Sequence, residues 1–322
     1  MPADIEPRVR ATALSRLLRG TTYAHLLPLL PLAVRRLHVP PTDVVIASHH
    51  AFANQVVYAT DAPVVSYVHS PARWVWDPNL RAGEVGAGSG SWGWARSRRS
   101  TAPWTSPRRP GCTRCWATPP RSSAGSRTGG SARPPSCTPV DTERYVPDPE
   151  VPREGFFLLA GRLVAYKRPD LAVRAAERAG VPLVVAGDGR ARAELEALAG
   201  PNTRFLGRVD DDELLRLFRS CTALLMPGVE DFGIVPVEAQ ACGTPVIAID
   251  AGGTQDTVVP GVTGELVPQV DDDVDEVELW AAALRTFDPS RYDPAITRKH
   301  AEGFSRSTFR ERMRGVVAGV LA

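Results

Sequence analysis

An α/β protein built on parallel sheets is predicted by three observations. From about residue 151, short apolar runs alternate regularly with amphipathic stretches, the order expected of strand–helix–strand units. The runs are apolar throughout, as in strands covered on both faces. Glycines and acidic residues stand where a run hands over to the next stretch, where turns and helix caps belong.

Taken in order, residues 1–81 carry a helical Arg- and Leu-rich pattern over Arg8–Arg19 and two buried-type strands, Val44–Ser48 and Val64–His69. Residues 86–139 differ in kind. They contain only Gly, Ala, Ser, Thr, Pro, Arg, Trp and Cys, yet hold four of the seven Trp and three of the five Cys. A disordered linker would lack aliphatic residues in this way, but not carry so much Trp and Cys. A GC-rich gene read out of frame, with ordinary sequence resuming at Pro139–Asp141, accounts for the stretch better than a low-complexity insert. Beyond it, strands are predicted at Phe156–Ala160, Leu183–Ala186, Thr203–Leu206, Ala223–Met226 and Val246–Ile249. Helices are predicted at Pro169–Ala179, Arg190–Leu198 and Asp211–Phe218. The domains expected are 1–150, 151–300 and a C-terminal helix over 301–322.

The chain has 322 residues, 43% of them apolar and 23% charged, enough for two ordinary domains. A net charge of +2 gives no ground for a nucleic-acid partner. No apolar run is long enough to span a bilayer and no signal peptide opens the sequence, so a cytoplasmic location is expected. Peripheral attachment to the inner face of the membrane stays open. Five cysteines disfavour a disulfide framework. Cys112 and Cys115 have C-x-x-C spacing but lack a second pair of ligands, and Cys221 and Cys242 read as small buried hydrophobes.

The segment EDFGIVPVEAQACGTPVIA, Glu230–Ala248, carries the strongest signal. It follows a predicted strand, so it lies at a carboxyl end, where open α/β sheets bind ligands. The amides of Phe232–Val235 begin a helix and suit a phosphate or sugar hydroxyls. Glu230 would face a sugar, and Glu238, within the helix, would accept from a ribose diol; two glutamates flanking a turn by chance is the bland alternative. A second segment, GRLVAYKRPDLAV, places Arg162 and Lys167 on a strand-to-helix turn. There two cations could neutralise a pyrophosphate or simply be solvated. The Gly187–Gly189 turn is a weak signal, open to ligand approach or a purely structural role. Gly252–Gly253 is likewise either a close approach to a ligand or an ordinary turn. Asp210 with Glu213 reads as a helix cap rather than a metal cluster, and Arg208 and Val209 before it could meet a nucleobase.

Together these motifs resemble the family 4 glycosyltransferases of the GT-B fold. PVDTERY, GR-x-x-x-x-K, Gly-Asp-Gly, FLG, E-D-F-G-I-V-P-V-E and GG-x-x-x-x-V-x-x-G-x-T-G occur in order over 139–322. SHHAFA (48–53) and YVHSPARWVWD (67–77) resemble the mannosyltransferase-like branch. The resemblance implies two Rossmann-like domains, with the N-terminal one incomplete. That domain would lack its opening strand and Gly-rich loop, and the stretch 86–139 stands where another helix and strand would be. It further implies Glu238 on the ribose and Glu230 by the transferred sugar. Arg162 and Lys167, with Gly233, Ile234 and Val235, would hold the diphosphate, and His69 would sit by sugar and acceptor, with His50 and Arg73 on the acceptor side.

The reaction implied is transfer of a hexose, with retention, from a nucleoside diphosphate sugar to a saccharide or lipid-linked acceptor. GDP-mannose is the donor expected, and neither cofactor nor metal is implied. The competing expectation is a remnant that binds nucleotide sugar without transfer, because catalysis needs the acceptor held beside the donor. A nicotinamide-dependent dehydrogenase is disfavoured by the missing dinucleotide fingerprint.

Overall fold

Two parallel sheets carry the fold in the computed structural model, which describes residues 29–49, 52–69, 138–270 and 272–322 and the main chain of 114–117. The chain divides into two units, residues 1–117 with 315–322 and residues 118–314.

In the first unit a short helix α1 (Leu30–Arg35) precedes β1 (Val45–His49), a 3₁₀ turn (Ala53–Tyr58), β2 (Val64–Val68) and β3 (Arg114–Ala117). The strands pair in parallel in the order β1-β2-β3. Ala47, Val56 and Val64 form its described hydrophobic cluster. Arg35 binds this cluster's flank, donating to Gln55 Oε1 at 3.1 and 3.0 Å while its guanidinium lies 4.1 Å from the Tyr58 ring centroid. β1 and β2 match the predicted strands to within a residue at each end. β3 falls inside the eight-letter stretch, whose composition gave no reason to expect a strand. The rest of that stretch, including the proposed frame change, and the helix predicted over Arg8–Arg19 lie outside the described residues.

The second unit holds six strands, β4 (Phe157–Ala160), β5 (Leu183–Ala186), β6 (Thr203–Gly207), β7 (Ala223–Met226), β8 (Val246–Ile249) and β9 (Gly264–Val267). All are parallel, in the order β6-β5-β4-β7-β8-β9. The helices are α2 (Pro169–Ala179), α3 (Arg192–Leu198), α4 (Asp211–Ser220), α5 (Ile234–Ala241), α6 (Thr254–Thr257), α7 (Asp273–Thr286), α8 (Pro294–Glu302) and α9 (Arg306–Leu321). Strand side chains divide between two cores, as alternation demands. Leu158, Ala160, Leu224 and Met226 pack with Phe218 and Val237 from α4 and α5. Phe157, Leu159, Leu225 and Ile247 pack on the other face with Leu171 and Trp280 from α2 and α7. β4, β5, β7 and β8 are therefore buried along their whole length, which explains their unbroken apolar runs.

Capping fixes the boundaries. Asp210 accepts from the Glu213 amide at 2.8 Å and opens α4. The Glu213 side chain turns to Arg216 instead of back to the cap, so only half of the reciprocal box forms. Cys221 and Cys242 are free and buried, and burial raises both thiols to about 12. A second strand that was not predicted, Gly264–Val267, is the edge strand β9. Gly264 (φ 157°) lies so close to β8 that a Cβ would stand 1.9 Å from the Val246 carbonyl oxygen. That approach demands glycine, which masks the strand in the sequence.

Candidate functional site

The sheet order reverses between β4 and β7: from β4 the chain goes on to β5 and β6 on one side, and from β7 to β8 and β9 on the other. Parallel sheets leave a crevice beyond the carboxyl ends of two strands that diverge in this way. β4 and β7 are in register only at Phe157↔Ala223 and Leu158↔Leu224, near their amino ends. Past those pairs lies a cleft lined by Leu159 to Leu163, Lys167 and Pro169 on one side and Met226 to Gly228 and Glu230 on the other.

The first loop, after β4, winds through a 3₁₀ turn (Ala165–Lys167) into α2. The second, after β7, leads through Gly233 into α5. They touch where Gly228 meets Lys167: a Cβ on Gly228 would stand 2.4 Å from the Lys167 Cα. Lys167 Nζ lies 2.5 Å from Glu230 Oε1, an ion pair not aligned as a hydrogen bond. Arg162 is exposed at the loop's outer edge and donates to the Tyr166 hydroxyl at 3.0 Å. Gly233 (φ 85°) precedes α5, whose first turn has neither a side-chain cap nor an acidic residue. Its leading amides, on Ile234 and Val235, are thus left for a ligand. Ile234 is exposed and Val235 packs on the core. Phe232 anchors the loop, edge-on to Phe304 with centroids 5.5 Å apart.

One turn along α5 stands Glu238, half-buried. Burial, then the negative charges of Asp211 and Asp141, raise its pKa to about 7. Tyr145 belongs to the same neighbourhood and is raised to about 12, first by burial and then by Glu238. Asp141 and Tyr145 come from the PVDTERY segment, held against the ends of α5 and α8 by Arg298, which donates to the carbonyls of Tyr145, Ala241 and Thr142. Neither residue was singled out for the site in the sequence. The motif itself was the available signal, but a pair separated by almost a hundred residues is not visible as spacing.

The structure therefore brings Arg162, Lys167 and Glu230 to one crevice, while Gly233, Ile234 and Val235 follow on the same loop into α5 and Glu238 lies farther along that helix. Arg208 is exposed at the end of β6, whereas Val209 packs against the core. The two glycine pairs prove structural where they touch protein. Cβ atoms on Gly187 and Gly189 would collide with the Gly161 and Leu163 carbonyls at 1.8 and 2.2 Å. On Gly252 and Gly253 they would meet Glu230 O at 2.5 Å and Phe232 Cα at 2.3 Å. Each pair thus backs one of the two ligand loops. In the other unit His69 is exposed. Its Nε2 lies 2.7 Å from Ser48 Oγ and its ring is edge-on to Tyr67 at 4.7 Å. His50 and Arg73 lie outside the described residues. No group of three or more potential metal ligands occurs among the described residues.

This strand order and the two parallel sheets match solved structures of the GT-B glycosyltransferase class. A glycosyltransferase involved in avilamycin A biosynthesis superposes with a TM-score of 0.56 at 21% identity, over 90% of this chain and 78% of that one. Anabaena HepE in complex with UDP gives 0.58 at 17% identity, over 96% and 84%. Sucrose-phosphate synthase from Thermosynechococcus elongatus gives 0.59 at 19%, over 93% and 79%. Within the chain, residues 142–282 match the family model described as Glycosyl transferases group 1, so the second unit carries a domain of that group. D-inositol 3-phosphate glycosyltransferase of Mycobacterium marinum is 38% identical over 145 residues, 41% of this chain and 30% of the relative. The Mycobacterium tuberculosis protein of that name is 38% identical over 136 residues, 38% of this chain and 27% of the relative. The matched region is thus about a third of the length of these curated relatives. Among the described residues no helix is long and apolar enough to cross a membrane.

Proposed function

We propose that the chain is a retaining glycosyltransferase that takes a hexose from a nucleoside diphosphate sugar. The observation that carries this is the meeting of Lys167 and Glu230, with Arg162, in the crevice between β4 and β7. Lys167 and Arg162 hold the diphosphate, together with the amides beyond Gly233. These groups also stabilise the charge that develops as the nucleoside diphosphate departs. Glu238 accepts from the ribose hydroxyls, which replace the water that its half-buried carboxylate otherwise needs. Arg208 and Val209 border the base. Glu230 exchanges its lysine for the sugar's hydroxyls once phosphate oxygens occupy Lys167.

His69, steadied by Ser48, positions sugar and acceptor, with His50 and Arg73 on the acceptor side. The SHHAFA and YVHSPARWVWD segments favour mannose carried on GDP and a saccharide or lipid-linked acceptor at the inner membrane face. The relatives' name adds D-inositol 3-phosphate as an acceptor to be tried, and the HepE complex adds UDP as a nucleotide.

The test is turnover of GDP-mannose, UDP-glucose and UDP-N-acetylglucosamine, with and without D-inositol 3-phosphate. Release of GDP or UDP with a retained anomer in the product supports the reading, and a panel without thermal stabilisation by either nucleotide overturns it. The composition of residues 86–139 keeps one rival alive, a protein that binds nucleotide sugar without transfer. Stabilisation without any turnover would select that rival.

A further inference from the structure

Arg168 follows the diphosphate lysine directly, and among the described residues it is the one non-glycine with positive φ, at 51°. Pro169 opens α2, and the residue before a proline is disfavoured in the right-handed helical region and driven toward extended backbone, so the left-handed turn needs a further cause. A left-handed conformation suits glycine far better than arginine, so holding an arginine there needs something to over-determine it.

The side chain supplies that. Arg168 Nη1 lies 2.8 Å from Glu276 Oε2 and Nη2 lies 2.9 Å from Asp273 Oδ1, both on α7. Glu276 is only 4% exposed, so its carboxylate depends on this partner. Arg174 braces the same group through Asp170 at 2.7 Å and Asp273. The main chain is tied as well. The Lys167 amide donates to Val164 O at 3.0 Å, Arg168 to Ala165 O at 2.9 Å and Leu171 to Arg168 O at 3.1 Å. The guanidinium thus fastens the turn bearing Lys167 to α7, the helix packed beside α2. Surface ion pairs such as the one to the half-exposed Asp273 add little stability, so geometry is the better account of so dense a network.

We propose that Arg168 is a positioning residue, its clamp on Glu276 and Asp273 holding the left-handed turn that aims Lys167 at the donor's diphosphate. This rests on the nucleotide-sugar reading above. The diphosphate increment, the affinity of GDP over guanosine and of UDP over uridine, is the quantity to measure on the full chain by titration. Wild-type protein should show a clear increment. Arg168→Ala should lower it about tenfold, roughly 1.4 kcal/mol, while nucleoside affinity holds. Arg168→Lys, which can keep one ion pair, should recover part of it. Glu276→Gln, which weakens the clamp and leaves Arg168 in place, should lower the increment about threefold, and serves if Arg168→Ala does not fold. An unchanged increment in Arg168→Ala overturns the clamp alone. Parallel loss of nucleoside and nucleotide affinity with falling thermal stability reduces Arg168 to a structural role and also overturns it. Wild-type protein with no increment defeats the nucleotide-sugar reading itself, and this inference with it.

Discussion

The two sheets are both parallel, yet they hold their functional side chains by different means. In the six-stranded sheet every residue of β4, β5, β7 and β8 is buried, and the site loops leave a crevice already shaped by two cores. In the three-stranded sheet β1 buries only part of its length, Ile46 is 52% exposed, and the exposed His69 ring lies against Ser48 Oγ and the Tyr67 ring. Position in the first case is inherited from packing, whereas in the second it depends on a few polar partners. The first arrangement should resist change at the site and fail through the core. The second should respond to a single hydroxyl.

Leu225→Ala tests the packed side most severely. Leu225 is fully buried, and its truncation should cost about 3 kcal/mol of stability in chemical denaturation. Next, Lys167→Ala should weaken GDP or UDP binding about 30-fold in titration, since it removes a charge-assisted contact worth about 2 kcal/mol. The fold should keep its melting temperature to within a few degrees.

Glu238 yields a pH signature. Its folded pKa, about 7, exceeds the ordinary carboxylate value of 4.5, so the stability it permits is present below about 4.5 and is lost as pH rises toward 7. Partial exposure halves what the shift would otherwise be worth, leaving about 1.5 kcal/mol. Glu238→Gln should flatten the melting temperature across that window, and an equal slope in both proteins would refute the assignment. Smallest should be Ser48→Ala, which leaves nucleotide binding unchanged, costs transfer about threefold and moves its pH profile through His69. If instead nucleotide affinity falls, the division of labour between the sheets is wrong.

The sequence announced the second unit because its signals are local. Strands β5, β7 and β8 and helix α2 match the predicted bounds residue for residue, and the Asp210 cap is where its spacing put it. Glu230 and Lys167 line one crevice because each follows a strand end, a position readable from neighbours alone. What escaped prediction is what distance creates. β9 hides behind the glycine it needs, β3 has no Leu, Ile or Val to announce it, and Asp141 is brought near Glu238 by a segment that Arg298 helps to hold. Gly187, Gly189, Gly252 and Gly253 could be read equally as ligand contacts or as turns. Only their approach to main chain more than twenty residues away shows the structural part they play.

That approach makes the Gly253 amide a reporter. It donates to the Glu230 carbonyl at 2.7 Å, a hydrogen bond that ties the outer loop to the loop bearing the site glutamate. With no room for a side chain at residue 253, the bond breaks only when the two loops part. The rate at which this one proton exchanges with deuterated solvent would therefore count the openings of the crevice, and a nucleotide that fills it should slow the count.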